Sequence, residues 1–573
     1  MSGKIWQAIY FGGAISLFFV QLLQQRFPAV GDDFDLWIYS FFAGKWHFLH
    51  YGLRPLRFTP FLGGGIPIYG EPHDFYYSPL QLFALFFDPW IAILATTVLM
   101  VTFGYVGWYL FSMKVMKLPS MWSHLLSTIL TVHGFYVMHL LVAHYWIFGF
   151  FMTGWIAWLI FDNEVTRLWS WITRTAAFTM IVGFILYFAG FLSLFYTAFF
   201  IVLVMPVYLL LLFEKSGGRA CLRACGRIYV YALAATLICA SKFVAIFSLM
   251  RFFPRHASVP IVRGNIWDFL FRIYWSTSQD PNTFDATNWF VHEKSMHISY
   301  VILLGIILSI GVVPRIFKKA KSAPIIACLV LFFGLLSCQY VIELISGEGL
   351  LATATYQLPM FNKLRVATRF GYTLSLLIIP FSIWVLYTLS LRLKRHTQTV
   401  LVFLFFVATL MSFFIINSKA VDILLIPNRY ESYLLAWQEA NAYGFKNATV
   451  QQIAEEPNFI DTAGISIPYE LIPNKQRNIL TIGSVDKVTQ QEFNLLNPVC
   501  FQYPEDNGCL DQFQTFHGSE EVFLRAFSEG GYIKWKLSKM QYTADIVSSI
   551  TLITGLCTLI LYLLFLKIHA VSQ

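Results

Sequence analysis

Apolar runs of bilayer length recur along the whole chain, and they constrain the fold more than any other feature. A run of about 20 apolar residues crosses about 30 Å of hydrocarbon as a helix. Helices satisfy every backbone polar group there within one segment. Only 12% of the residues are charged, against roughly 25% in soluble domains, which excludes an ordinary soluble protein. The sequence therefore predicts an all-α polytopic membrane protein.

The apolar runs predict twelve transmembrane helices, the first of them a retained helix rather than a cleaved signal peptide. The fifth and sixth are separated by almost nothing, so their division is the weakest boundary. The expected spans are 5–24, 89–113, 120–140, 144–162, 172–192, 194–213, 227–249, 297–314, 323–345, 369–390, 398–417 and 546–567.

The net charge of +9 sits mainly in short loops between spans, which indicates a topology signal rather than a nucleic-acid partner. With the N-terminus inside, the even-numbered connections are all short and basic. Both termini are then expected in the cytoplasm. The basic residues are Lys114 and Lys117; Arg167 and Arg174; Lys215, Arg219, Arg223 and Arg227; Arg315, Lys318, Lys319 and Lys321; Arg392, Lys394 and Arg395.

This topology divides the chain into three parts. Residues 1–417 form a transmembrane module with outer loops at 25–88, 250–296 and 346–368. The polar stretch 418–545 is expected to be a small non-cytoplasmic α+β domain, and 546–573 the final helix and cytoplasmic tail. Cys500 and Cys509 flank a turn-rich stretch of this domain. They predict a disulfide in an oxidising compartment, with two free thiols as the alternative.

Three carboxylates, Asp32, Asp33 and Asp35, follow the first span and would raise one another's pKa. Such a cluster suits acid–base catalysis, a basic partner or a metal ion. Asp32 and Asp33 could hold Mg²⁺ or Mn²⁺ through oxygen ligands, and no other cofactor is indicated. The alternative is a solvated acidic turn.

Further ionisable groups lie later in the same outer loop, close to the bilayer. Glu71, His73 and Asp74 precede Tyr77, which belongs to a YYSPL stretch that opens a short apolar helix. We expect these four residues to position an acceptor or to support the loop. His139 and His144 flank a much shorter outer turn and are expected to be structural.

Five cations are candidates for binding a phosphate: Lys242, Arg263, Lys363, Arg365 and Arg369. An intramembrane lysine is costly, so Lys242 is expected to bind a phosphate or to pair with a buried carboxylate. Arg263 could close over a charged donor or belong to a salt-bridged surface loop. The other three enter a helix at the membrane surface, where they could contact phosphate oxygens or lipid headgroups.

The first outer loop resembles that of GT-C glycosyltransferases. The likeness rests on the acidic pair Asp32 and Asp33, an aromatic helix ending in Ala-Gly, and the Tyr-Tyr-x-Pro-Leu segment at 76–80. The resemblance implies an enzyme that takes a sugar from a polyprenyl-phosphate carrier. It also implies a catalytic acid in this loop, for which Asp33 is the first choice and Asp35 is an additional acid.

A second stretch, LPMFNKLRVATRFGYTLSLLIIP at 358–380, is similar to a motif of bacterial YfhO-like membrane proteins, a GT-C-type group linked to envelope glycosylation. The two resemblances together imply a glycosyltransferase of the bacterial inner membrane with its active site facing the periplasm. Its acceptor would be a glycan, a lipid or a protein. The alternative function is a twelve-helix transporter or flippase, which predicts two similar halves and compact loops.

Overall fold

The computed structural model confirms the all-α polytopic architecture, since the residues that it describes form helices and turns without a β-strand. The expected α+β domain, with Cys500 and Cys509, lies almost wholly outside the described residues. The structure describes residues 9–13, 16, 40–41, 44–45, 47–49, 52–53, 55, 68–163, 168–252, 266–275, 293, 296–316, 323–358, 361, 366–424, 438 and 538–571.

The helices from residue 79 onwards are numbered here in chain order. They are α1 (Pro79–Ala84), α2 (Pro89–Leu110), α3 (Ser120–Val132), α4 (Gly134–Leu141), α5 (Thr153–Phe161), α6 (Leu168–Tyr187), α7 (Phe191–Ser216), α8 (Gly218–Phe252), α9 (Ile266–Trp275), α10 (Tyr300–Ile316), α11 (Ala323–Ser346), α12 (Leu350–Tyr356), α13 (Phe370–Ser390), α14 (Arg395–Leu424) and α15 (Lys539–Val571). Short 3₁₀ helices occupy Ile68–Gly70, Tyr145–Met152 and Ala367–Arg369.

Nine helical stretches among the described residues are long and apolar enough to cross a membrane. Two shorter apolar stretches, Tyr145–Phe161 and Tyr300–Val312, accompany them. Together they coincide with the predicted spans from 89–113 onwards, whereas most of the first predicted span lies outside the described residues. The nine are Pro89–Val115, Ser120–Leu141, Leu168–Tyr187, Phe191–Ser216, Gly218–Ser248, Ile325–Ser346, Ala367–Ser390, Arg395–Ile416 and Lys539–Leu566.

The division into a fifth and a sixth span is confirmed, but the sharp turn between α6 and α7 lies at residues 188–190, a few residues before the predicted boundary. Ala189 has a left-handed backbone with φ of 54°. Gly190 follows it, and a Cβ atom there would lie 2.2 Å from the carbonyl oxygen of Ile185. Only glycine fits this position, so the apolar run of about 45 residues divides into two antiparallel helices.

The centre of the helical bundle is the α3–α4 stretch. Its most apolar window is entirely buried within the protein, whereas the corresponding window of α15 is only 6% buried. The chain bends at His133 between α3 and α4, and the aromatic 3₁₀ helix Tyr145–Met152 is buried beside them. The last helix therefore lies at the periphery, and the polar groups near α4 lie in the interior.

Polar contacts join helix ends on two opposite faces of the bundle. On one face, Arg227 of α8 donates to the carbonyl oxygens of Asp162 and Ile160, at 2.9 and 2.7 Å. Arg174 of α6 donates to the Asp162 carboxylate at 2.9 Å. We call this the hub face. The other, here the loop face, carries residues 68–88, 142–144, 188–190, 296–299, 347–358, 361 and 366–369.

Candidate functional site

The first polar centre on the loop face is the buried ion pair of Asp74 and Lys242. The Lys242 ammonium donates to Asp74 Oδ2 at 3.3 Å, and the two side chains are 1% and 5% exposed. α8 carries Lys242 to the loop face, where the turn after Ile68–Gly70 meets it. The lysine thus pairs with a buried carboxylate, one of the two outcomes expected from the sequence.

Backbone contacts hold the Asp74 carboxylate in place. Its Oδ1 atom accepts the Tyr76 N–H at 3.0 Å, and the Asp74 carbonyl accepts the Ala189 N–H at 3.0 Å. Burial raises the pKa of Asp74, while the Lys242 charge and the Tyr76 N–H partly oppose the increase. The net effect is a carboxyl group that holds its proton more tightly than an exposed aspartate.

A cation–π contact followed by hydrogen bonds connects this ion pair to the last helix. Lys242 lies 5.1 Å from the centre of the Tyr69 ring, and the Tyr69 hydroxyl is 2.6 Å from Ser241 Oγ. Ser241 donates to Asp545 of α15 at 2.6 Å, and Gln541 donates to the Ser241 carbonyl at 3.0 Å. Although α15 lies at the periphery, its first turns are therefore fixed to the loop face.

The second polar centre, here the Glu293 cluster, comprises His139, His144, Trp146, Glu293 and Arg369. Arg369 donates twice to Glu293 Oε1, from Nε at 2.8 Å and from Nη2. Its guanidinium carbon lies 4.4 Å from the centre of the Trp146 ring. Glu293 Oε2 is 3.5 Å from His139 Nε2, and the Nδ1 atoms of His139 and His144 are 2.8 Å apart.

Local backbone structure brings the two histidines together. Ala143 adopts a left-handed conformation with φ of 61°, and the His144 N–H donates to the His139 carbonyl at 2.9 Å. The chain thereby reverses from α4 into the 3₁₀ helix that carries Trp146. Arg369 ends the short 3₁₀ helix before α13 and is positioned opposite this turn. His139, His144 and Glu293 are all buried.

The turn between α6 and α7 touches both polar centres. The Ala189 N–H donates to the Asp74 carbonyl, and four residues later the Ser193 hydroxyl donates to the Trp146 carbonyl at 2.5 Å. The two centres are consequently parts of one connected polar region on the loop face.

The predicted site residues fall into three groups. The first belongs to the polar centres: Lys242 pairs with Asp74, and Arg369 lies in the Glu293 cluster. The second forms local contacts near the first centre. Glu71 and His73 form their own contact, Oε1 to Nδ1 at 3.0 Å, and the Tyr77 hydroxyl donates to the Leu53 carbonyl at 3.3 Å. The third group, which lies outside the described residues, contains Asp32, Asp33, Asp35, Arg263, Lys363 and Arg365.

Sequence reasoning missed Glu293 and Asp545, and it assigned His139 and His144 a merely structural role. Glu293 is one of many charged residues in the loop 250–296, and nothing in the sequence distinguishes it from the others. The available signal was the pair of histidines five residues apart at the end of a long apolar span, because buried imidazoles need partners. Among the described residues, His139, His144 and Glu293 have the ligand atoms with which a metal ion could be held.

Comparison with protein-family models, with curated proteins and with solved structures found no match to this chain. The apolar helices and the two polar centres define the class: an α-helical polytopic membrane protein with buried charges on its loop face.

Proposed function

We propose that this protein is a membrane glycosyltransferase that moves a sugar from a polyprenyl-phosphate carrier to a glycan, lipid or protein acceptor on the non-cytoplasmic face. The observation that carries the proposal is the cluster on the loop face in which Glu293 and two histidines are buried and the Arg369 side chain is only 13% exposed. Ionisable groups at membrane depth are costly and commonly mark substrate sites. Arg369 also belongs to the YfhO-like stretch of the sequence.

The proposed reaction needs two groups, one that accepts a proton and one that stabilises negative charge. The acceptor oxygen forms a bond to the anomeric carbon, and the bond from that carbon to the phosphate oxygen breaks with its electron pair. The acceptor proton passes to Asp33 of the first outer loop. Arg369 stabilises the developing phosphate charge, since a guanidinium fork matches phosphate oxygens. Glu293 and Trp146 hold that guanidinium in place.

An apolar groove between α9 and α11 supports a lipid-linked donor. Its volume is about 300 Å³, and Gln339 is its one polar lining residue. Trp267 and Phe332 contribute aromatic walls to the groove. An isoprenoid chain would find in it a continuous apolar surface, one wall of which is α9.

Replacement of Asp33 by Asn tests the proposed acid. Membranes containing the full chain would be supplied with labelled polyprenyl-phosphate sugars, and label on acceptors would be counted. We expect a loss of about 100-fold or more, the lower range for general acid–base catalysis. Asp88→Asn, which alters the helix cap of α2, is the control for folding. Normal transfer by a folded Asp33→Asn protein would remove this residue from catalysis.

Arg369→Lys provides a second test, because it keeps the charge and loses the guanidinium fork. We expect a higher KM for the lipid donor and a lower kcat, with Arg392→Lys on the hub face as the unaffected control. If the protein in sealed vesicles instead moved the labelled glycolipid across the membrane without transferring its sugar, that result would replace the proposal with the transporter alternative.

A further inference from the structure

We propose that His139, His144 and Glu293 form a binding site for a divalent transition-metal ion of the Zn²⁺ type. Their candidate ligand atoms all lie within 4.8 Å of one another, and they come from α4, from the turn after it and from the chain before α10. This inference does not depend on the proposed transfer reaction, because metal binding is measured without any substrate.

The chemistry of the ligands selects the class of ion. Two imidazole nitrogens and one carboxylate oxygen suit Zn²⁺, Fe²⁺ and Co²⁺, whereas Mg²⁺ favours oxygen ligands alone. Zn²⁺ takes three protein ligands in sites that keep a fourth position open. This assignment differs from the Mg²⁺ or Mn²⁺ site expected at Asp32 and Asp33, which needs only oxygen ligands.

The observed spacing is somewhat wider than that of a coordinated set. Ligand atoms at about 2.0–2.1 Å from a tetrahedral Zn²⁺ are about 3.3 Å apart. Here one ligand atom from each residue lies within 4.8 Å of the other two. The two Nδ1 atoms are 2.8 Å apart, while Glu293 Oε2 contacts the other nitrogen of His139, Nε2, at 3.5 Å. At the 2.8 Å separation the Nδ1 proton of one imidazole is donated to the Nδ1 atom of the other. A metal ion bound between the rings would take the place of that proton, which would move to the other nitrogen of the donating imidazole. Rotation of the Glu293 side chain would complete the site.

The surroundings of the three ligands resemble the supporting shell of a metal site. Arg369 binds Glu293 Oε1 and leaves Oε2 directed towards His139. The Trp146 ring centre lies 5.1 Å from that of His139 and 5.6 Å from that of His144, which restricts both imidazoles. Such contacts orient ligands and commonly contribute 10- to 100-fold to metal affinity. With the carboxylate neutralised by Arg369, a bound dication would attract an anion, such as a phosphate oxygen, to its open position.

The test is metal binding by the purified full-length protein in lipid nanodiscs, prepared with an affinity tag that contains no histidine. Zn²⁺, Co²⁺, Mn²⁺ and Mg²⁺ would be titrated separately by calorimetry, and retained metal counted by mass spectrometry. We expect one Zn²⁺ per chain, with X-ray absorption showing nitrogen and oxygen ligands at about 2.0–2.1 Å, and weaker binding of Mg²⁺.

Matched variants assign the site to these residues. His144→Gln and Glu293→Gln are expected to weaken Zn²⁺ binding by more than about 100-fold, beyond the effect of a supporting residue. His133→Gln removes another buried imidazole outside the cluster and should bind Zn²⁺ normally. Zn²⁺ should raise the melting temperature of the wild type and of His133→Gln only. Absence of stoichiometric Zn²⁺ from the wild type, or unchanged affinity in both cluster variants, would overturn the inference.

Discussion

At the scale of single residues, the Asp74–Lys242 pair illustrates the cost of charge at membrane depth. Each group alone would face a large desolvation penalty, and their mutual attraction offsets part of it. The raised pKa of Asp74 indicates that desolvation by burial outweighs the stabilisation from Lys242. The pair is therefore better explained by positioning of the loop face than by a net gain in stability.

Removal of the cation should be more harmful than removal of the pair. We expect Lys242→Met to destabilise the protein by about 3–5 kcal/mol at neutral pH, because it leaves a buried carboxylate without its cation. The double variant Lys242→Met with Asp74→Asn should recover most of that loss. Thermal unfolding in detergent measures both. The control is Glu71→Gln, a partly exposed neighbour of the pair, which should change stability by less than about 0.5 kcal/mol. Equal losses of stability in the single and the double variant would contradict this account.

The pH dependence of stability should follow from the same carboxyl group. A folded-state pKa above the unfolded value of about 3.9 means that the folded protein binds the proton more tightly. This contribution is full below the unfolded pKa and is lost as the pH rises through the folded pKa. Melting temperatures measured from acid to neutral pH should therefore fall more steeply in the wild type than in the double variant. Parallel curves would argue against a raised pKa at Asp74.

At the scale of helices, small residues decide how closely the inner pair α2 and α5 can approach. A Cβ atom on Gly154 would lie 2.6 Å from the Trp108 backbone nitrogen and 2.8 Å from the Gly107 carbonyl carbon. Trp155 next to it donates from Nε1 to the Phe103 carbonyl at 2.7 Å. Close backbone contact of this kind is a main source of helix association in membranes.

Gly154→Ala should consequently weaken the contact between α2 and α5. The clash is with backbone atoms, which cannot rotate away, so we expect a loss of about 1–3 kcal/mol. Gly226→Ala in α8 is the matched control, because no atom lies within 4 Å of its added Cβ. There alanine should be neutral or stabilising by up to about 1 kcal/mol. Equal melting temperatures for the two variants would refute the close-packing argument.

At the scale of the whole molecule, the bundle separates its polar groups by face. Arg174 and Arg227 of the hub face belong to two of the basic connections that predict the cytoplasmic side. The Asp74 and Glu293 centres lie on the opposite face. This division agrees with an outward-facing site and makes the orientation open to direct measurement.

Labelling in intact cells should distinguish the two faces. A membrane-impermeant maleimide is expected to modify Leu350→Cys, an exposed position on the loop face. Native Cys225, exposed near the hub face, should react only after the membrane is permeabilised. Peptide mass spectrometry would separate these sites from the other cysteines. If Cys225 alone were labelled in intact cells, the hub face would be the outer face and the predicted orientation would be wrong.

The sequence alone determined the helices, because the cost of an unsatisfied backbone in hydrocarbon acts on each apolar run separately. It also marked Lys242 as an expensive residue to bury. Only the tertiary structure decided that Lys242 and Asp74, 168 residues apart, are partners. It alone joined His139 and His144 to Glu293, since the distance between remote side chains depends on how all the helices pack, which no local pattern of residues encodes.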